Sequence, residues 1–103
     1  MRIMVFITGG AIIAASSVTA APIEHFAGAE LLPRAKVTLA QARAAAVLAH
    51  PGVITGQELE KEGGGTGLRY SFDIKNGSKT YEVGIDARTG RVLENKAEGP
   101  NPD

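Results

Sequence analysis

The segment from Leu68 to Asp86, "LRYSFDIKNGSKTYEVGID", constrains the fold more than any other part of the chain. Leu68, Tyr70, Phe72 and Ile74 alternate with Arg69, Ser71 and Asp73, and Tyr81, Val83 and Ile85 alternate with Glu82, Gly84 and Asp86. A period of two places the large apolar side chains of each run on one face of a strand. Between the runs stands Asn76-Gly77, a dipeptide that tolerates the positive φ of a two-residue hairpin turn. With that turn Lys75 pairs with Ser78, and Phe72, Tyr70 and Leu68 face Tyr81, Val83 and Ile85. The expectation is one antiparallel hairpin with a single apolar face, and such a face must be covered.

The cover is supplied by "TLAQARAAAVLAH". Thr38 as N-cap and Gln41 three residues on have capping-box spacing, and Val37 with Ala42 is placed as a hydrophobic staple. The helix is expected from about Thr38 to Ala49 and is ended by His50, Pro51 and Gly52, because the residue before proline avoids the α region and glycine accepts the sharp turn. At 100° per residue Leu39, Ala42, Ala45, Ala46 and Ala49 share one side, and their small size lets the helix lie close on a sheet. Ile54 to Lys61 reads as a first strand with Leu59 inward and Glu58, Glu60 and Glu62 on the opposite parity. "GGGTG" is a flexible return, and "ARTG" is a tight turn with Gly90 in the left-handed position, followed by a short last strand from Arg91 to Leu93. The fold class expected is α+β: one helix packed on a three- to four-stranded antiparallel β-meander, preceded by a cleavable signal peptide.

That signal is residues 1–20: Arg2, the apolar run "IMVFITGGAIIAA", then "SSVTA" with Val18 and Ala20 at the minus-three and minus-one positions of a signal-peptidase site. Cleavage is expected after Ala20, since a cut after Ala21 would set Pro22 directly behind the scissile bond. The run is shorter than the about 20 apolar residues of a membrane span and contains Gly9 and Gly10. A periplasmic or secreted chain with no membrane span after cleavage follows. Residues 21–36 read as a linker whose Leu31 and Leu32 dock on the domain, residues 37–95 as the folded domain, and residues 96–103 as a disordered tail. Cysteine is absent from all 103 residues, so the domain rests on its apolar core rather than on disulfides. Lys and Arg number 11 against 11 Asp and Glu, and the leader removes only Arg2, so no basic footprint for nucleic acid is present.

Little of this sequence can do covalent chemistry. His25 and His50 are the only histidines and neither has a second ligand at metal spacing. Ser71 and Ser78 fall in a strand and a turn, without an elbow motif or a paired base. "DARTG" lacks the alternating acids and terminal glutamate of a calcium loop, so Asp86 is read as anchoring its own turn. No Lys-Ser or Lys-Thr follows "GGGTG", which excludes a phosphate loop. No catalytic residue, metal site or cofactor is expected. The positions taken to define the fold are Thr38, Pro51, Gly52, Tyr70, Phe72, Asn76, Gly77, Tyr81, Asp86 and Gly90. The candidate binding face is Glu58, Glu60, Arg69 and Glu82.

In order and spacing, "KVTLAQARAAAVLAHPGVITGQELEKEGG", "YSFDI" and "YEVGIDARTGRVL" resemble the PepSY domain of thermolysin-type metallopeptidase propeptides and many exported bacterial proteins. The resemblance implies a non-catalytic module, a modulator or inhibitor of a peptidase, here acting in trans because no protease domain follows. The expected partner is a protein or peptide of the cell envelope. The alternative is a small metal-responsive or envelope-stress protein that holds a divalent cation on the acidic strand face.

Overall fold

Thr38 opens the only α-helix among residues 26–99, the part of the chain that the computed structural model describes. The expected export signal and its cleavage point lie outside those residues. The Thr38 hydroxyl accepts the Gln41 N–H at 3.0 Å, and the Thr38 N–H donates to Gln41 Oε1 at 2.9 Å. This reciprocal capping box starts α1 (Leu39–Ala49). Thr38→Ala should therefore lower stability by about 1 kcal/mol, while Thr38→Ser stays near wild type. Thermal melting of the two variants checks this, and equal losses in both would mean that the methyl group rather than the hydroxyl matters.

At the other end the His50 N–H closes the last turn on Ala46 O at 2.8 Å, and Pro51 and Gly52 carry the chain away. The Asn95 side chain donates to Ala49 O at 3.3 Å, which satisfies one of the orphan carbonyls at the helix end.

Four strands follow: β1 (Val53–Lys61), β2 (Leu68–Asn76), β3 (Lys79–Asp86) and β4 (Val92–Ala97). They form one antiparallel meander in the order β1-β2-β3-β4. Helix α1 lies on one face of it. Leu39, Ala42 and Ala46 are buried against Leu59, Leu68, Tyr70, Phe72, Ile74, Val83 and Ile85, with Ala45 and Ala49 partly buried beside them. The Tyr70 hydroxyl donates to Val37 O at 2.6 Å, which ties the start of the helix to the middle of the sheet. Burial pushes that phenol above its ordinary pKa. A register shift between Ile54 and Gly56 inserts Thr55 into β1 and reverses the parity, so that Ile54 and Leu59 both turn toward the helix.

The hairpin register differs from the expected one. Asn76 pairs with Lys79, so the turn is Gly77-Ser78 and not Asn76-Gly77. Phe72 faces Val83 rather than Tyr81, Tyr70 faces Ile85, and Ile74 faces Tyr81. A contact from elsewhere in the chain accounts for this: Asn76 Nδ2 donates to Pro51 O at 2.8 Å, which holds Asn76 at the end of the strand. Gly77 then takes the left-handed position at φ 68°. The partner strand slides by two residues, an even number, so the apolar face is preserved.

Two further segments are more ordered than the sequence indicates. The last strand runs from Val92 to Ala97, beyond the expected Leu93 and into the stretch read as tail. Glu94, Asn95 and Lys96 carry no apolar period, and it is their pairing with Gly84, Val83 and Glu82 that makes them a strand. Within the expected linker, Ala29–Arg34 form a 3-10 turn with Leu31 and Leu32 half-buried against the core. Ala27 bridges to Glu58 in parallel, and the Leu59 N–H donates to Ala27 O at 2.9 Å. Here Gly28 is required, because its φ is 88° and a Cβ would stand 1.7 Å from Leu59 O. Among the described residues no helix is long and apolar enough to cross a membrane.

Candidate functional site

The helix covers one face of the sheet, and the alternation of each strand sends its polar residues to the other. Glu58 and Glu60 of β1, Arg69, Ser71 and Asp73 of β2, Glu82 of β3, and Glu94 and Lys96 of β4 share that second face. Register places Glu58 beside Ser71, Glu60 beside Arg69, Asp73 beside Glu82 and Glu82 beside Lys96. A polar groove of about 250 Å³ runs along it, lined by Gly56, Gln57, Glu58, Ser71, Asp73 and Glu82.

The expected binding residues have unequal parts here. Glu58 is exposed at the groove, and Glu82 lies half-buried in its wall. Glu60 is occupied, accepting the Ser71 hydroxyl at 2.8 Å. Arg69 lies deeper than the others: it is buried, with Nη1 donating to Glu94 Oε1 at 3.1 Å and Nη2 to Gly63 O at 3.2 Å. It braces β4 against the β1-β2 loop. Lys96 closes on the other oxygen of Glu94 at 3.1 Å.

With Arg69 and Lys96 both engaged by Glu94, the groove acids are left mostly uncompensated. Burial pushes the Glu82 carboxyl above its ordinary pKa, and Glu94, Asp73 and Glu60 push it the same way against the opposing Lys96. A carboxylate held up by its neighbours marks a face that would gain from an incoming positive charge.

Asp73 and Glu94 stand outside the four residues of the expected binding face. Asp73 shares the parity of Arg69 and Ser71, so alternation alone places it. Glu94 stands beyond the expected end of the last strand, and nothing in its neighbourhood signals a ladder.

Asp86 forms a separate polar knot. It is 1% exposed, and its carboxylate accepts Thr66 N–H at 2.7 Å, Thr66 Oγ1 at 2.9 Å, Arg88 N–H at 2.8 Å and Thr89 N–H at 3.1 Å. Burial alone would raise its pKa, but these bonds outweigh it and hold the carboxyl at about 2. Arg88 Nη1 donates to Thr66 O at 3.0 Å, so the "GGGTG" return is fastened to the β3-β4 turn at both Asp86 and Arg88. The anchoring of its own turn is legible in "DARTG"; the reach to Thr66 is not.

No serine, histidine and carboxylate converge among the described residues. The His50 ring stacks on Tyr81 with centroids 3.8 Å apart, and its Nδ1 lies 3.2 Å from Asn95 Oδ1. Ser71 is bonded to Glu60, and Ser78 is exposed in the hairpin turn. His25 lies outside the described residues. No group of three or more His, Cys, Asp or Glu is placed to hold a metal ion among the described residues. A second, apolar crevice of about 410 Å³ lies between Phe26, Leu32, Val37, Leu39 and Tyr70, and the Tyr70 hydroxyl is committed to Val37 O.

A helix closed by "HPG", an antiparallel meander and the D-x-x-T-G knot coincide with a family model described as peptidase propeptide and YPEB domain, which matches residues 36–96. The chain belongs to the PepSY family. The match takes in α1 and nearly all of the four-stranded sheet, and leaves the 3-10 turn outside. No curated protein and no solved structure matches the chain. PepSY domains are peptidase propeptide or inhibitor-type modules, which is consistent with a non-catalytic regulatory role.

Proposed function

We propose that this PepSY chain is an exported, non-catalytic regulatory module that binds a peptidase of the cell envelope or extracellular space in trans and modulates it. The observation that carries the reading is the sheet covered on one face only, its other face an acidic groove around Glu58, Asp73 and Glu82. Partner binding by such a face is electrostatic at its rim, depends on salt, and favours a basic segment of the partner. The expected leader and the typical export of this family support the export part of the reading, and the family's description as a peptidase propeptide domain supports a peptidase as partner.

Calorimetry of the purified protein against a thermolysin-type metallopeptidase tests it. Binding is expected, weakened at least about tenfold when Glu58→Gln, Asp73→Asn and Glu82→Gln are combined and weakened again by added salt. Absence of binding, or a triple variant that binds as wild type does, would contradict the proposal.

A further inference from the structure

β4 ends the meander, and the direction of its main-chain groups can be worked out. The Glu98 N–H donates to Thr80 O at 2.9 Å. In an antiparallel ladder inward and outward groups alternate, so Lys96 and Glu94 also direct theirs to β3, while Asn95 and Ala97 direct theirs away from the sheet; the alternation ends at Leu93, where the ladder with β3 shifts register. The opposite edge differs. On β1 the outward Leu59 N–H is already taken by Ala27 O, and the N-terminal segment lies along the strand at Glu58. Among the described residues β4 is therefore the edge at which a further strand can be added without displacing a segment already paired there.

We infer that β4 pairs antiparallel with β4 of a second copy of the chain, about a two-fold axis at Asn95. Charge decides the occupant and the register. Pairing Leu93 with Asn95 would set Glu94 against Glu94, and pairing Asn95 with Ala97 would set Lys96 against Lys96; like charges directly opposite are destabilising. Centring the pair on Asn95 sets Glu94 against the second copy's Lys96, and Lys96 against its Glu94. Together with the 3.1 Å pair inside each chain, this closes a ring of alternating charge. Leu93 then stands opposite Ala97, and the outward groups of Asn95 pair with those of the second copy's Asn95. Because the Asn95 side chain is tied to Ala49 O and His50 on the helix side, the ring forms on the other side without competing for it.

A two-fold axis perpendicular to the sheet keeps both helices on one side of a continuous sheet and both acidic grooves on the other. The inference goes beyond the peptidase reading and stands or falls separately from it. An edge lysine can also serve to keep strands apart. In that case Lys96 would guard a monomer.

Sedimentation equilibrium of the purified protein, from micromolar to millimolar concentration, separates the two. The expected result is a mass that rises from one chain to two with concentration and falls back in high salt. Lys96→Glu, which sets two pairs of acids together, and Ala97→Pro, which removes an outward donor, should each hold the mass at one chain with melting near wild type. Both positions are exposed, and neither supplies a side chain to the core. A wild-type protein that stays at the mass of one chain throughout would overturn the inference, and so would a dimer that either variant leaves undiminished.

Discussion

Truncating Phe72 to alanine should cost about 3–5 kcal/mol of folding stability, the range for emptying a fully buried aromatic site. Phe72 is 0% exposed and lies between Gln57 of β1 and Val83 of β3, with the Tyr70 ring stacked 6.2 Å away at 18°. The helix above contributes Ala42 and Ala46 to the same core, and their methyl groups cannot reach into the space that a lost ring would leave. A single small domain holds about 0.05–0.15 kcal/mol per residue in total. With no disulfide to limit the unfolded chain, the loss approaches everything this domain has. Phe72→Leu keeps most of the volume and should cost less than about 2 kcal/mol. Urea unfolding of both variants measures the difference, and a Phe72→Ala protein that melts as wild type does would place Phe72 outside the core.

Replacing Asp86 by asparagine should cost about 3 kcal/mol at neutral pH, although the shape is unchanged. The carboxylate serves only donors: Thr66 N–H and Oγ1–H, Arg88 N–H and Thr89 N–H. An amide turns an NH₂ group toward some of those donors and removes the charge that strengthens the rest, leaving buried N–H groups without an acceptor. The same site dictates an acid limb. In the folded protein the carboxyl titrates at about 2, below its ordinary 3.8. The folded state therefore binds the proton less readily than the unfolded state does. The stabilisation, about 2.5 kcal/mol by linkage, is complete above about pH 5 and is lost as pH falls through 3.8 toward 2. Unfolding free energies of wild type and Asp86→Asn should differ most near neutrality and converge below about pH 2. A gap that persists undiminished at pH 2 would mean that the hydrogen bonds do not depend on ionisation.

The parts of the fold that were legible in the sequence are those with a strong local period. Strict alternation from Leu68 to Ile85 and the Thr38-Gln41 capping box each specify an element from within a few residues, and α1, β2 and β3 lie where those signals put them. What was not legible depends on contacts across the chain. The turn moved to Gly77-Ser78 because Asn76 answers to Pro51, 25 residues away. β4 reached Ala97 because β3 offered it a ladder, a fact about pairing rather than about "ENKA" itself. The same holds for the binding face. Parity identified Glu58 and Glu82, but it could not tell that Arg69 would be spent on Glu94 or that Asp86 would fasten a loop at Thr66. Composition argued against chemistry from the outset, and a face of uncompensated acids emerged only once the strands were set side by side.

The measurement that bears most directly on the proposed role is an NMR titration of the ¹⁵N-labelled protein with a thermolysin-type metallopeptidase. It reports which surface meets the partner, and not merely that one does. Amide signals of Glu58, Ser71, Asp73 and Glu82 should shift or broaden as peptidase is added, while those of Leu39 to Ala49 in the covering helix stay in place. A spectrum that does not change at stoichiometric peptidase, or one in which only the helix responds, would contradict the account.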